Sequence, residues 1–448
     1  MLVSLAMSLL VPKVLGVTEF GYWQLFLFYG GYVGFFHFGL NDGVYLLNGG
    51  KTRQEIDGAS ITSQFLVGLF FQFVIALGIG LAAFFCEEGS RRFVWVAVAL
   101  YLLLANASSY LGYVFQSLNE TRLFSYSSML DRLAFLVPLI VLIAIHCDDF
   151  GPYVVLFLAS RAVCLLFCLV KARDILRSGL LRPSAAVQDC LESIRVGVKL
   201  MLANIASMLI LGVMRFAIDA RWGIDSFGEI SFALSMVNFF LTFISQVAMV
   251  LFPALRRASD NEQASFFRGL DDALSLLLPI VYGFCYPIIL VLSLWLPQYT
   301  GTMHYFVFLL PICVFDSKMN LLGTTYFKVL RMEKTLLCVN VATVVASGAG
   351  VLVGVFLLES VEVTLAAAVV AIVGRSLASE VIVARRLGGA ISPMSFVEVG
   401  LTVAFVTLTF CFGSPVACAV YWFLYACYLF AYRQKVRHYA LRLRSRQI

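Results

Sequence analysis

The sequence predicts an all-α integral membrane protein of about fourteen transmembrane helices: two six-helix lobes in parallel repeat, followed by a C-terminal helix pair. Three observations predict it: a composition that no aqueous core can bury, apolar runs of spanning length, and a short motif repeated once per lobe. Of 448 residues, 61% are hydrophobic and 13% charged, and mean hydropathy is +0.93. A soluble domain is about half apolar and about a quarter charged, so the excess needs lipid as its solvent. Aromatic residues make up 14%, which suits lipid-facing helices and interfacial belts.

A spanning helix needs about 20 mostly apolar residues. Such runs occupy 1–12, 22–47, 60–85, 93–116, 130–146, 152–170, 195–218, 227–252, 273–296, 303–326, 335–358, 362–384, 396–413 and 415–432. The first is short. At about 1.5 Å per residue it cannot cross a core about 30 Å thick, so it reads as the end of a helix that begins upstream.

The longest polar stretch, 171–199, separates an N-terminal lobe (1–192) from a C-terminal lobe (193–386). A hairpin and basic tail (387–448) follow, with a tight turn at Gly413-Ser414-Pro415. Gly16-Val17-Thr18-Glu19-Phe20-Gly21 follows segment one, and Gly223-Ile224-Asp225-Ser226-Phe227-Gly228 follows segment seven. Both read G-[VI]-x-x-F-G at the same place in each lobe and on the same side. That is the mark of a parallel duplication about an axis along the membrane normal.

Loop charge fixes an orientation. With the C-terminus inside and alternating crossings, 24 Lys and Arg fall on the inner side, against four outside (Lys13, Arg91, Arg92 and Arg221). Positive-inside bias of this size sets both termini in the cytoplasm. In the tail, Val436, Tyr439, Ala440 and Leu443 share one helical face, so it can lie on anionic headgroups or act only as a retention signal.

Several classes are excluded. The net charge of +6 is loop charge that orients a membrane chain, so no nucleic-acid partner is expected. No CxxC or Cys/His cluster has metal spacing, and the eleven cysteines read as small core residues, with a Cys86–Cys147 bond left open. There is no GxxxxGK[ST] loop and no HExxH. The short outer loops leave no room for a catalytic domain, so neither cofactor nor catalytic residue is expected. His37 is the one deep histidine.

The informative residues are ionisable groups inside spans: Arg161 in segment six, Arg215 in seven, Asp316 and Lys318 in ten, Arg375 and Glu380 in twelve, and Asp42 near the inner end of segment two. A central Arg or Lys costs about 2.5–3.5 kcal/mol by insertion scales, so four facing lipid would cost about 10 kcal/mol. They are expected to face a wet cavity or acidic partners. Arg215 can pair with Asp219 at i,i+4, Lys318 can snorkel, Arg375 can bridge to Glu380 or a neighbouring helix, and Asp42 can cap its helix. Arg161 has no acid within a turn. Cations in this setting suit an anionic substrate, and a guanidinium suits pyrophosphate in particular. Arg161, Arg215, Lys318 and Arg375 are therefore the expected substrate-binding residues. Asp42, Asp316 and Glu380 are the expected sites for a coupling H⁺ or Na⁺. With the inside negative, an anion moves outward with about 2.3 kcal/mol per charge per 100 mV.

The stretch LVPKVLGVTEFGYWQL (10–25), followed by FGLNDG (38–43), resembles polysaccharide flippases of the multidrug/oligosaccharidyl-lipid/polysaccharide (MOP) exporter superfamily. The shared pattern is a helix ending in Pro and a basic residue, then L-G-x-x-x-[FY]-G, then a second helix ending near G-L. The resemblance implies a twelve-helix core with two added C-terminal helices. It also implies a cationic cavity for an undecaprenyl-pyrophosphate-linked oligosaccharide, and alternating access across a bacterial inner membrane for O-antigen, capsule or exopolysaccharide export. Partners would be that lipid-linked glycan, membrane lipids, and a polysaccharide polymerase with its assembly proteins. Alternatives are a drug or metabolite antiporter of the same superfamily, which would favour acidic cavity groups, and an integral membrane polymerase or acyltransferase.

The orientation has a direct test. An alkaline phosphatase reporter inserted in the 87–92 turn is expected to be active, and one fused after Ile448 inactive. The opposite pattern would invert the topology.

Overall fold

The computed structural model describes residues 6–257, 259–412 and 414–437. Among these every regular element is helical. Helix α1 (Val11–Val14) follows a π turn over Ala6–Leu10. Then come α2 (Val17–Tyr32), α3 (Leu40–Asn48), α4 (Gly58–Cys86), α5 (Gly89–Ser117), α6 (Thr121–Ala144) and α7 (Phe150–Lys171). The long α8 (Pro183–Arg257) leads to α9 (Asp260–Leu277) and α10 (Ile280–Trp295). The set closes with α11 (Pro297–Val329), α12 (Glu333–Leu357), α13 (Val361–Arg386), α14 (Pro393–Cys411) and α15 (Ser414–Ala431). Most of the expected first segment, residues 6–12, is described, and the rest lies outside the described residues. So do Gly413 of the hairpin turn and Tyr439, Ala440 and Leu443 of the tail.

Among the described residues, ten helices are long and apolar enough to cross a membrane. One of them, Asn204–Met249, is 46 residues long. At about 1.5 Å per residue it is more than twice the thickness of a hydrocarbon core. It bends at Gly223, whose φ of 81° is cheap only for glycine. The apolar run 22–47 is not one helix. It breaks after a 3₁₀ turn, where Phe38 and Gly39 take left-handed conformations (φ 51° and 89°). The His37 imidazole Nδ1 accepts the Gly39 N–H at 3.0 Å across this break.

Short polar side chains start the spans. Asp57 accepts from the Ser60 N–H (3.0 Å) ahead of α4, Asp149 from Gly151 (2.8 Å) ahead of α7, and Ser360 from Val363 (3.2 Å) ahead of α13. Each satisfies a donor that the first helical turn leaves unpaired, a contribution of about 1 kcal/mol.

The chain divides into two compact units, Leu2–Ile205 and Ala206–Ile448, with the division inside α8. Each has one central helix. In the first unit α5 is 67% buried while α4 and α6 are 22% and 17% buried; in the second α11 is 83% buried. The flanking helices turn Phe70, Phe85, Val137 and Phe356 outward, an apolar surface suited to lipid. Inside the first unit Trp23 is fully buried and stacks on Phe135 at 6.1 Å. Five of the eleven cysteines are buried as small core residues and four are exposed, and all eleven, Cys86 and Cys147 included, are free thiols.

The repeated motif precedes a helix in both units, with Gly16 extended (φ −65°) and Gly223 at φ 81°. Gly16 and Gly223 are each the non-helical residue from which a helix starts, and Phe20 and Phe227 are both buried. In the first unit α3 packs backbone to backbone on α8. A Cβ at Gly43 would overlap the Ser193 carbonyl, and one at Gly197 the Gly39 carbonyl.

On one side of that unit Arg53 gathers three connections. It donates to both Glu120 oxygens (2.6 and 2.9 Å), to Asp174 (2.6 and 2.7 Å) and to the Lys171 carbonyl (3.1 Å). The residues are those that the alternating topology puts on a single side. Partial burial pushes the Asp174 carboxyl up, but the bonds from Arg53 outweigh it and hold the group below its ordinary value. Its contribution is present at neutral pH and lost as acid protonates it.

Overpacking costs about 1–3 kcal/mol, and at Gly43 the obstacle is backbone that cannot rotate away. Gly43→Ala is expected to lower the thermal midpoint of the purified protein by an amount at the top of that range. Gly78→Ala, where a Cβ meets nothing within 4 Å, is expected to leave it unchanged. Equal midpoints would refute the close crossing.

Candidate functional site: a hydroxyl-lined cationic cavity and a caged lysine

In the first unit α7 carries Arg161 toward α5 and α6. The sequence offers no acid on its own helix, but α6 supplies one: Nη2 of Arg161 lies 3.2 Å from Oδ2 of Asp131. The same nitrogen donates to the Tyr101 hydroxyl of α5 at 3.3 Å, and the guanidinium sits 5.7 Å from the centre of that ring. The pair is partly exposed, at 23% and 20% of the two side chains. It faces a cavity of ≈ 210 Å³ lined also by Arg132, Ser108, Ser109, Ser127 and Ser128.

The hydroxyls of Ser108 and Ser127 donate to the Ala105 and Phe124 carbonyls of their own helices (3.1 and 2.8 Å). Their lone pairs are left to accept. The cavity therefore offers charged donors from two guanidinium groups, and acceptors from serines and one carboxylate. That combination suits an anion bearing hydroxyl groups.

Asp42, also in the first unit, sits in the first turn of α3. It is buried and lies 3.9 Å from Nε2 of His37.

The second unit holds the other predicted residues. Arg215 of α8 donates to the Ser231 hydroxyl at 2.9 Å and lies 4.9 Å from the centre of the Phe227 ring, the aromatic residue of the repeated motif. Arg375 of α13 pairs with Asp316 of α11 and reaches the Ser207 hydroxyl at 3.4 Å. Of the two partners the sequence offered Arg375, Glu380 or a neighbouring helix, the structure shows the second, in Asp316, and gives Glu380 to Lys318.

Lys318 of α11 is fully buried. Its Nζ lies 3.1 Å from Asp271 of α9, 3.0 Å from Glu380 of α13 and 3.0 Å from Glu398 of α14. It also donates to Ser275 (3.1 Å) and Ser395 (3.2 Å). With all five neighbours in place, the ammonium does not snorkel to the surface. A π turn over Met319–Thr324 follows it directly, the kind of irregularity that accumulates at functional positions in helices.

Sequence reasoning missed Asp131, Asp271 and Glu398. Each stands within two residues of the end of an apolar run, where a charge reads as the membrane boundary. The signal was present in the caps: Ser259 and Glu262 start α9 well before 273, and Ser392 starts α14 before 396. Those helices therefore carry Asp271 and Glu398 inside them.

Two solved structures share this architecture. A multidrug resistance MATE family transporter of the MOP superfamily, in an inward-facing conformation, superposes with a TM-score of 0.60 at 11% identity, over 86% of this chain and 98% of that one. The lipid II flippase MurJ, in an inward closed conformation, superposes with a TM-score of 0.61 at 11% identity, over 97% of each chain. The chain has the fold of these membrane transporters. No protein-family model and no curated protein sequence matches it. The MATE match leaves 14% of the chain uncovered, a share equal in size to 387–448. The MurJ match leaves 3%, too little to omit both α14 and α15.

The two cationic sites differ in what their removal should cost. Taking one partner from a buried ion cluster strands the others, at about 3–5 kcal/mol, whereas a half-solvated pair contributes about 1 kcal/mol or less. Lys318→Met is expected to lower thermal stability in detergent sharply, and Arg161→Gln to leave it within a few degrees of wild type. Equal losses would contradict the difference in burial.

Proposed function

We propose that the chain is a flippase for lipid-linked oligosaccharides, moving an undecaprenyl-pyrophosphate-linked glycan across a bacterial inner membrane for O-antigen, capsule or exopolysaccharide export. The observation that carries this reading is the Arg161 cavity. A guanidinium within a spanning helix stands among serine lone pairs, where a diphosphate needs donors and a sugar needs acceptors. Arg161 and Arg132 would hold the phosphates in the first unit, and Arg215 and Arg375 are the further cations that the second unit would offer the substrate. Lys318, whose neighbours are three carboxylates and two serines, takes a structural part in this reading.

The membrane arrangement proposed is about fourteen crossings, with both termini in the cytoplasm. These are the ten long helices with Asn204–Met249 counted twice, α15, the broken α2–α3 pair and the first segment. A wet cavity avoids the cost of taking a diphosphate through hydrocarbon, and the membrane potential favours outward movement of its charge. A polymerase would then use the exported product.

A second reading has its own support. The MATE superposition and the Asp131 carboxylate, which lines the same cavity, favour an antiporter for cationic drugs or metabolites. The two readings depend on opposite charges. In the flippase, Arg161→Gln abolishes surface glycan in a complementation assay, about a hundredfold or more, while the protein stays folded in the membrane, and Asp131→Asn has the smaller effect. In the antiporter, Asp131→Asn abolishes efflux of a cationic dye and surface glycan is unaffected. Full glycan export by Arg161→Gln would end the flippase proposal.

A further inference from the structure

Four helices converge on Lys318, and their charges do not balance. One ammonium faces three carboxylates, Asp271, Glu380 and Glu398. All four side chains are more than nine-tenths buried. With every group ionised the cage carries a charge of −2 inside a membrane-spanning unit, and an uncompensated buried charge is the most expensive state a protein interior offers.

The hydrogen-bond count is short as well. An ammonium has three N–H bonds, yet five oxygens lie 3.0–3.2 Å from this one. Two further carboxylate oxygens, Oε2 of Glu380 and Oε1 of Glu398, are buried with no hydrogen-bond partner.

The other charged groups on these helices do not make up the difference. Asp272 of α9 is held by Lys435 at 2.7 and 2.8 Å and by Ser392. Asp316 is held by Arg375. Arg268 is exposed and donates to the Ala264 carbonyl. From α15, Tyr428 donates to the Ser275 carbonyl at 3.1 Å and brings no charge. Nζ of Lys318 already occupies the centre of the carboxylates, and no described cluster of His, Cys, Asp and Glu has the geometry of a metal site.

We propose that the Lys318 cage is a proton-binding site, in which the carboxyl groups of Asp271, Glu380 and Glu398 together hold two protons in the closed, dry state and release them when water reaches the cluster. Each bound proton removes one negative charge and turns an unpartnered oxygen into an O–H donor for its neighbour. Protonation thereby governs how firmly α14, which contributes Glu398, is fastened to α9, α11 and α13. Loading and release need no particular transported molecule. The site therefore stands or falls separately from the oligosaccharide reading, and it would serve an exporter of either kind.

Infrared difference spectroscopy of the full-length protein in lipid nanodiscs tests this. At neutral pH the wild type is expected to show the C=O stretch of un-ionised carboxyl groups. The band should shift on transfer to D₂O, decline as alkali titrates it, and be unmoved by Na⁺ at constant pH. Glu398→Gln and Glu380→Gln should each lose part of it, since a cage with one carboxylate fewer needs one proton fewer. Absence of the band in wild-type protein overturns the proposal, whether or not the variants fold. So does a band that survives in full in both folded variants, or one that Na⁺ abolishes.

Discussion

One ammonium group at Lys318 fixes four helices to a common point. Its neighbours come from α9, α13 and α14, and it stands itself on α11, the most buried helix of the second unit. In lipid there is little hydrophobic force to hold one helix against another, and polar contacts between helices take a larger part. A buried cation shared by three helices specifies which faces meet and at what depth. The tyrosine ladder of α15 then follows: Tyr421, Tyr425 and Tyr428 donate in turn to the carbonyls of Pro279, Leu276 and Ser275. The C-terminal pair is thereby seated on the unit through hydrogen bonds as well as apolar contact.

The two units treat their cations differently. In the first, Arg161 meets one carboxylate, keeps part of its surface open and looks into a space lined by hydroxyls. In the second, Arg375 of α13 pairs with Asp316 of α11, and Lys318 of α11 is closed over by three acids, one of them on α13. Gly16 in the first unit and Gly223 in the second each precede a helix with a buried Phe behind it, but the ion pairs within the two units differ. The first leaves its cation partly open, the second closes its cations off.

Fold class was legible in the sequence because lipid as solvent leaves few options: long apolar runs must be helices. The repeated glycine motif was legible too, since φ of 81° at Gly223 needs glycine. Helix continuity was not. The run 22–47 is uniformly apolar, and nothing in its hydropathy shows the left-handed pair at Phe38 and Gly39. The buried cations Arg161, Arg375 and Lys318 stood out because each interrupts an apolar run. Their partners Asp131, Asp271 and Glu398 did not, because a hydropathy window stops at a charge and assigns it to the interface. The segments expected on either side of Gly223, 195–218 and 227–252, are two helices that meet at that non-helical residue, and the glycine between them marks the junction.

The π turn after Lys318 has a consequence for motion. A π turn is an α-helix with one residue too many, and that residue can migrate along the chain as a defect without breaking the rod. Moving it past Lys318 would rotate the side chain by about 100°, the angular step of one residue, and carry it off its carboxylates. The cluster could then be opened by a local register slip within α11, a smaller movement than parting whole helices.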